Sequence, residues 1–123
     1  MGDPLDVPEP AFDAVIHQPT RLRIMAALYR NRVASFTALR DGLGLTDGNL
    51  ATHAAKLQEA GYVESRRVLA GLSFEVRYSI TSKGSEAFRA YAAALRDFLE
   101  VAEAAPEAGA PPRAARGAPG EAL

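Results

Sequence analysis

Asp47, Asn49, Thr52, His53 and Lys56 place four short hydrogen-bonding groups and one cation within a ten-residue stretch, with the small residues Gly48 and Ala51 among them. The chemistry on offer is recognition. Short amides, hydroxyls and carboxylates reach base edges in the major groove of DNA, and small residues permit close approach. A helix turned only to solvent usually carries long Glu and Lys side chains instead. Asn49 is suited to adenine. Its competing role is to satisfy the first helical turn, but Thr46 already supplies that cap. Lys56 sits two turns into the helix and suits a phosphate better than a base. His53 is evenly divided between a DNA contact and half-buried packing beside Leu57. Asp47 is an anion at the helix start, which repels phosphate unless it accepts from a cytosine amine. A second set of cations, Arg66, Arg67 and Arg77, lies on a hairpin. Alternation puts Arg67 on the opposite face from Arg66, so the two cannot serve equally. Arg21, near a helix start, meets either phosphate or an acid.

The elements that hold these side chains follow from periodicity. Leu50, Ala54 and Leu57 recur at helical spacing, so Thr46–Ala60 reads as a helix with Thr46 as N-cap and Gly61 as its C′ stop. Phe36–Leu43 forms the helix before it, with Phe36, Leu39 and Leu43 inward, and Gly42-Leu43-Gly44-Leu45 makes the turn between them. Two helices joined by a short Gly-containing turn form a helix-turn-helix. Upstream, Pro8–Gln18 reads as a short helix with Phe12, Val15 and Ile16 on one side, stopped by Pro19. Thr20 caps the next helix, Thr20–Asn31, and Val33–Phe36 is a β-prone run of about three strand residues. Downstream, Val63–Leu69 and Phe74–Ile80 pair as a hairpin through Ala70-Gly71-Leu72-Ser73. Thr81 caps a long final helix on which Phe88, Tyr91, Leu95, Phe98 and Ala102 form a heptad-like seam.

Composition bounds the function. The 123 residues make one domain of ordinary size. Cysteine is absent, so disulfides and thiolate metal sites are excluded. His17 and His53 lie on different elements and form no metal-ligand motif. There is no apolar run of membrane-spanning length and no signal-peptide pattern at Met1-Gly2-Asp3-Pro4, so a cytoplasmic location is expected. The abundance of Ala, Arg, Pro and Gly fits a GC-rich bacterial genome. The net charge of −1 conceals an asymmetry: residues 20–96 hold twelve Lys and Arg against six Asp and Glu, between two acidic ends. A basic middle of this kind fits a polyanion-binding core. Three regions are expected: a flexible acidic N-terminus over 1–7, a folded domain over 8–104, and an Ala/Pro/Gly-rich disordered tail over 105–123. No nucleophile elbow, phosphate loop, metal cluster or paired carboxylates point to catalysis, and no cofactor is expected.

The order of these elements carries a resemblance. The segments Pro19 to Leu28, Phe36 to Leu39, Leu43 to Leu50, His53 to Leu57, Gly61 to Glu64 and Tyr78 to Gly84, over roughly residues 17–99, resemble bacterial regulators of the MarR and ArsR type. They are most similar to the compact group called winged helix DNA-binding domain. The resemblance implies an α+β fold, mainly α with a small β-hairpin, in which N- and C-terminal helices form a dimer interface. It implies a sequence-specific regulator, a repressor acting as a homodimer on palindromic double-stranded DNA. The 46–60 helix would enter the major groove through the positions of Asp47, Gly48, Asn49, Ala51, Thr52 and Lys56. The hairpin would be the wing, although Leu72, Ser73 and Phe74 stand where related wings carry arginines and proline. Phe12, Val15, Ile16, Phe88, Tyr91, Leu95 and Phe98 are the expected dimer residues. Two alternatives stay open: a winged-helix module that binds protein, and a regulator with a small-molecule effector pocket at the dimer seam.

Overall fold

The computed structural model describes residues 4–104. The expected tail over 105–123 and the first three residues lie outside the described residues. Four helices and three strands run in the order α1 (Pro19–Asn31), β1 (Val33–Ser35), α2 (Phe36–Leu43), α3 (Asp47–Glu59), β2 (Val63–Ala70), β3 (Ser73–Ile80) and α4 (Ser82–Glu103). The sheet is antiparallel with order β1-β3-β2, so β3 is the central strand. Val33 pairs with Ser79 and Val63 with Ile80, which ties both edge strands to the same end of β3. Ile24, Met25 and Leu28 of α1, Leu39 of α2, Leu50, Ala54 and Leu57 of α3, Val63 of β2 and Tyr78 of β3 form the core, joined by Tyr91 of α4.

The helix expected over Pro8–Gln18 does not form. Pro8 and Pro10 lack a backbone donor, and a residue preceding proline is pushed out of the helical region. The Asp13 carboxylate then closes a single local turn by accepting from Val15 N at 2.9 Å and Ile16 N at 3.3 Å. The segment is an irregular strap. Nor does Pro19 end a helix: it begins α1, where its missing N–H costs nothing. Gln18 is the cap in place of Thr20, its side-chain oxygen accepting from Arg21 N at 2.7 Å.

The strap is held from three sides. The Tyr62 hydroxyl donates to the Asp13 carboxylate. His17 Nδ1 is hydrogen-bonded to the Tyr91 hydroxyl at 2.8 Å. The Phe12 ring lies 5.4 Å from Tyr91 and 5.9 Å from Phe98. Ile16 is wholly buried. The hydrogen bond to Asp13, and then burial, push the Tyr62 phenol from its ordinary 10.0 up to about 12. Because the folded value lies above the unfolded one, this contact's stabilisation is intact below pH 10.0 and fades as pH rises towards about 12. Burial also raises Tyr78. In an alkaline absorbance titration, Tyr62→Phe is therefore expected to remove one late-ionising tyrosine and leave another. An unchanged titration would separate Tyr62 from Asp13 in solution.

The last helix starts where three constraints meet. Thr81 caps it, its hydroxyl oxygen accepting from Gly84 N at 2.9 Å. The same hydroxyl donates to Gly61 O at 2.7 Å, and Thr81 N donates to Tyr62 O at 3.0 Å. Gly84 packs directly over the Tyr62 carbonyl. The 22 residues of α4 extend about 33 Å. Its apolar seam is largely covered by the protein's own chain, with Phe88 stacked 4.8 Å from Tyr29 and the strap over Tyr91 and Phe98. Leu99 and Val101 remain half exposed. Among the described residues, no helix is long and apolar enough to cross a membrane.

Candidate nucleic-acid interface

The helix-turn-helix is set by local chemistry. Ser35 caps α2 by accepting from Ala38 N at 3.0 Å. Gly44, at φ +67, ends it in the left-handed region, and Leu45 N returns to Arg40 O at 2.8 Å. Thr46 then caps α3 by accepting from Asn49 N at 3.1 Å. Leu50, Ala54 and Leu57 turn into the core. This leaves Asp47, Gly48, Asn49, Ala51, Thr52 and Lys56 exposed along α3. The side chains of Asn49, Thr52 and Lys56 make no hydrogen bond or ion pair to other described residues. The capping role is filled by the Thr46 hydroxyl, so the Asn49 amide is left available.

Asp47 is not a lone anion. Arg40 Nη1 donates to its Oδ1 at 2.9 Å, while Arg40 Nε reaches Asp41 Oδ1 at 2.9 Å. These two carboxylates, Asp41 foremost, hold the Arg40 guanidinium even more firmly protonated than usual. Arg40, from the end of α2, is thus shared between two carboxylates and screens the negative charge at the start of α3 without cancelling it. Arg40 did not stand out in the sequence, because only the geometry of the turn brings it to Asp47.

Two expected contact residues are engaged within the protein. The Arg21 Nε donates to Val15 O at 2.6 Å, and its Nη1 donates to His53 Nδ1 at 3.3 Å. Arg21 therefore ties the strap to α3, and His53 is half buried beneath the exposed face of that helix.

On the hairpin, register separates the three arginines. Arg66 pairs directly across from Arg77, and both share a face with Glu64 and Ser79. With Val33 they line a shallow groove of about 300 Å³ on the outer side of the sheet. Arg77 Nε also donates to Glu75 Oε2 at 2.6 Å. Arg67 belongs to the other face, with Val63 and Ser65. Ser65 accepts from Gln58 Nε2 of α3 at 3.1 Å, so this face adjoins α3. Arg67 lies over the Phe74 ring, 4.6 Å from its centroid. Beyond it the tip turns at Gly71, and Leu69, Leu72 and Phe74 are largely exposed.

Of the expected dimer residues, Ile16 lies in the protomer's own core and Tyr91 is almost as buried. Phe12, Val15, Phe88 and Leu95 are partly buried against that core, and Phe98 is half buried beside Phe12. The strap and α4 leave between them an open groove of about 230 Å³, lined by Pro8, Pro10, Ala94, Phe98 and Val101 among others.

The winged helix DNA-binding domain family matches residues 20–99, from the start of α1 to near the end of α4. An uncharacterized protein of Methanocaldococcus jannaschii, MJ0432, is 36% identical over 77 residues, which are 63% of this chain and 84% of that protein. The transcriptional regulator homologue protein from Pyrococcus horikoshii OT3 superposes with a TM-score of 0.71 at 28% identity, over 75% of this chain and 91% of that chain. A PadR family transcriptional regulator from Eggerthella lenta shares the fold with a TM-score of 0.55 at 20% identity, over 71% of this chain and 84% of that chain. The capped helix-turn-helix, the three-stranded wing sheet and a match spanning most of the domain agree: this chain belongs to the winged helix DNA-binding domain family.

Proposed function

We propose that this protein is a sequence-specific, double-stranded DNA-binding transcriptional regulator, a homodimeric repressor acting on a palindromic operator. The observation that carries the reading is the exposed face of α3. Its amide, hydroxyl and ammonium groups have no partner among the described residues, and small residues separate them. Asn49 and Thr52 take the role of base readers and Lys56 that of a phosphate contact, with Gly48 and Ala51 permitting approach and Asp47 held by Arg40. Arg67 is the wing cation on the α3 side, and Arg66 and Arg77 contribute to the field. The kinship with the Pyrococcus regulator homologue supports the regulatory part. Residues 8–104 form the working unit, with 1–7 and 105–123 as flanking segments, and the expected setting is the cytoplasmic nucleoid.

Capture of sheared genomic DNA from the source organism at near-physiological salt, followed by sequencing, tests the reading directly. A recurring palindrome is expected, with half-sites about 34 Å apart as a two-fold dimer requires. Flat enrichment would overturn it. On such a site, Asn49→Ala is expected to cost about 1–3 kcal/mol and relax preference at one base pair. Lys56→Ala should weaken all sequences alike and lower the salt slope by about 1. Equal losses on specific and random DNA for Asn49→Ala would remove it as a reader.

The dimer would use the rim that the strap leaves open, namely Phe98, Leu99 and Val101 together with the strap's outer edge. Leu99→Glu is the clean probe because Leu99 is 45% exposed, whereas Leu95 packs against the core. A monomer with an unchanged circular dichroism spectrum is expected by light scattering, and a surviving dimer would exclude this rim. The groove beside Phe98 is where an effector would enter. A second reading, a protein-binding winged helix, is favoured by the exposed Leu69, Leu72 and Phe74 at the wing tip.

A further inference from the structure

A further pocket, of about 330 Å³, opens where β3 passes into α4, lined chiefly by Arg32, Thr81, Ser82, Ser85, Glu86 and Arg89. Four independent features converge on it. Ser85 is buried, at 7% exposure, and its hydroxyl has no hydrogen-bond partner among the described residues. A buried hydroxyl in that condition is unfavourable unless a ligand or water completes it. The N-terminus of α4 is the second feature. Thr81 satisfies Gly84 N through its side chain and Ser85 N through its carbonyl, leaving the N–H of Ser82, which lines the pocket, without a partner among the described residues. The third is charge: the guanidinium groups of Arg32 and Arg89 form no ion pair within the described residues, and Glu86, the one acid lining the pocket, is likewise unpaired. The fourth is backbone. Arg32 is the only described non-glycine residue at positive φ, 70°, and its carbonyl is pinned by Ile80 N at 3.2 Å.

We propose that this pocket binds a phosphate group, as inorganic phosphate or a phosphate monoester. A free N–H at the start of a long helix, a buried hydroxyl and two guanidinium forks supply donors on several sides, which suits a tetrahedral anion. Glu86 refines the choice. A carboxylate can only accept, so it repels a fully ionised anion and favours one that brings its own O–H. Hydrogen phosphate carries such a proton at neutral pH, as does a monoester with neighbouring hydroxyls, and sulfate does not. The pocket also adjoins the end of α3, because Thr81 is bonded to Gly61 and Tyr62. Occupancy would brace the residue that fixes the terminus of the recognition helix.

The test is a titration of the full-length protein with sodium phosphate, and separately with sodium sulfate, at constant ionic strength and neutral pH, followed by amide NMR and calorimetry. Saturable shifts are expected at the amides of Arg32, Ser82, Lys83 and Ser85, with phosphate bound more tightly than sulfate. Arg89→Gln should weaken phosphate at least tenfold and Ser85→Ala several-fold, while Glu86→Gln should narrow the preference over sulfate. Arg30→Gln, on α1 outside the pocket, should change nothing. In phosphate-free buffer a DNA duplex provides a further arm. Movement of these amides with inorganic phosphate and not with the duplex is expected, because a backbone diester carries no O–H for Glu86, and movement with the duplex alone overturns the proposal. Movement with neither overturns the proposal, as do folded Arg89→Gln and Ser85→Ala proteins that titrate like the parent.

Discussion

Replacing Gly84 with alanine is expected to destabilise the fold by about 4 kcal/mol or more, at the extreme end for a single substitution. An added Cβ would lie 2.1 Å from Tyr62 O, 2.9 Å from the carbonyl carbon and 3.0 Å from Ile80 Cγ1. The obstacle is backbone and cannot rotate aside. Tyr62 O is already accepting from Thr81 N at 3.0 Å, and Gly61 before it sits at φ +81. The gain in helix propensity from glycine to alanine, about 1 kcal/mol, is too small to compensate. Gly48→Ala is the control. It meets nothing within 4 Å and should gain part of that propensity term without strain. Urea unfolding followed by circular dichroism reads both. A Gly84→Ala protein of near-parental stability would mean that α4 does not seat against Tyr62 in solution.

The second large effect concerns binding. Ala51→Glu places a carboxylate on the exposed face of α3, between Asn49 and the turn bearing Lys56. Glutamate is a good helix former at an exposed position, so the melting temperature should stay within a degree or two of the parent. Affinity for the captured operator should fall at least a hundredfold, about 3 kcal/mol, because a carboxylate facing phosphates is repelled and cannot be released to water. Fluorescence anisotropy at fixed salt measures the loss. Unchanged affinity would remove α3 as the recognition element and leave the apolar wing tip as the best candidate surface, facing a protein.

Much of this architecture was legible in the sequence, where the determinants are local. Thr46 and Thr81 announce helices because a hydroxyl caps the backbone three residues on, and both do so. Leu50, Ala54 and Leu57 announce a buried face because they lie within two turns of one helix. The strap defies its sequence pattern for the opposite reason. The spacing of Phe12, Val15 and Ile16 imitates a helix, yet what fixes them is a pair of long-range contacts, Asp13 with Tyr62 and His17 with Tyr91. Apolar spacing along α4 said that its face is covered, and could not say that the cover is the chain's own beginning. Charge behaved in the same way. The partnership of Arg40 with Asp47 depends on the turn between two helices, and the opposition of Arg66 to Arg77 depends on strand register. Residue types propose an interface along α3, where Asp47, Asn49, Thr52 and Lys56 are exposed and His53 is half buried, but which cations stand beside it is decided by tertiary geometry.

The strap has a consequence for how the molecule is made. Synthesis delivers residues 8–18 before the groups that hold them: Tyr62 is 49 residues beyond Asp13, and Tyr91 is 74 beyond His17. At ordinary translation rates the nascent chain therefore carries Phe12, Val15 and Ile16 without their final partners for roughly 4–15 s. The strap thus leaves the ribosome before its partners exist, and it can close over α4 only once that helix has been made.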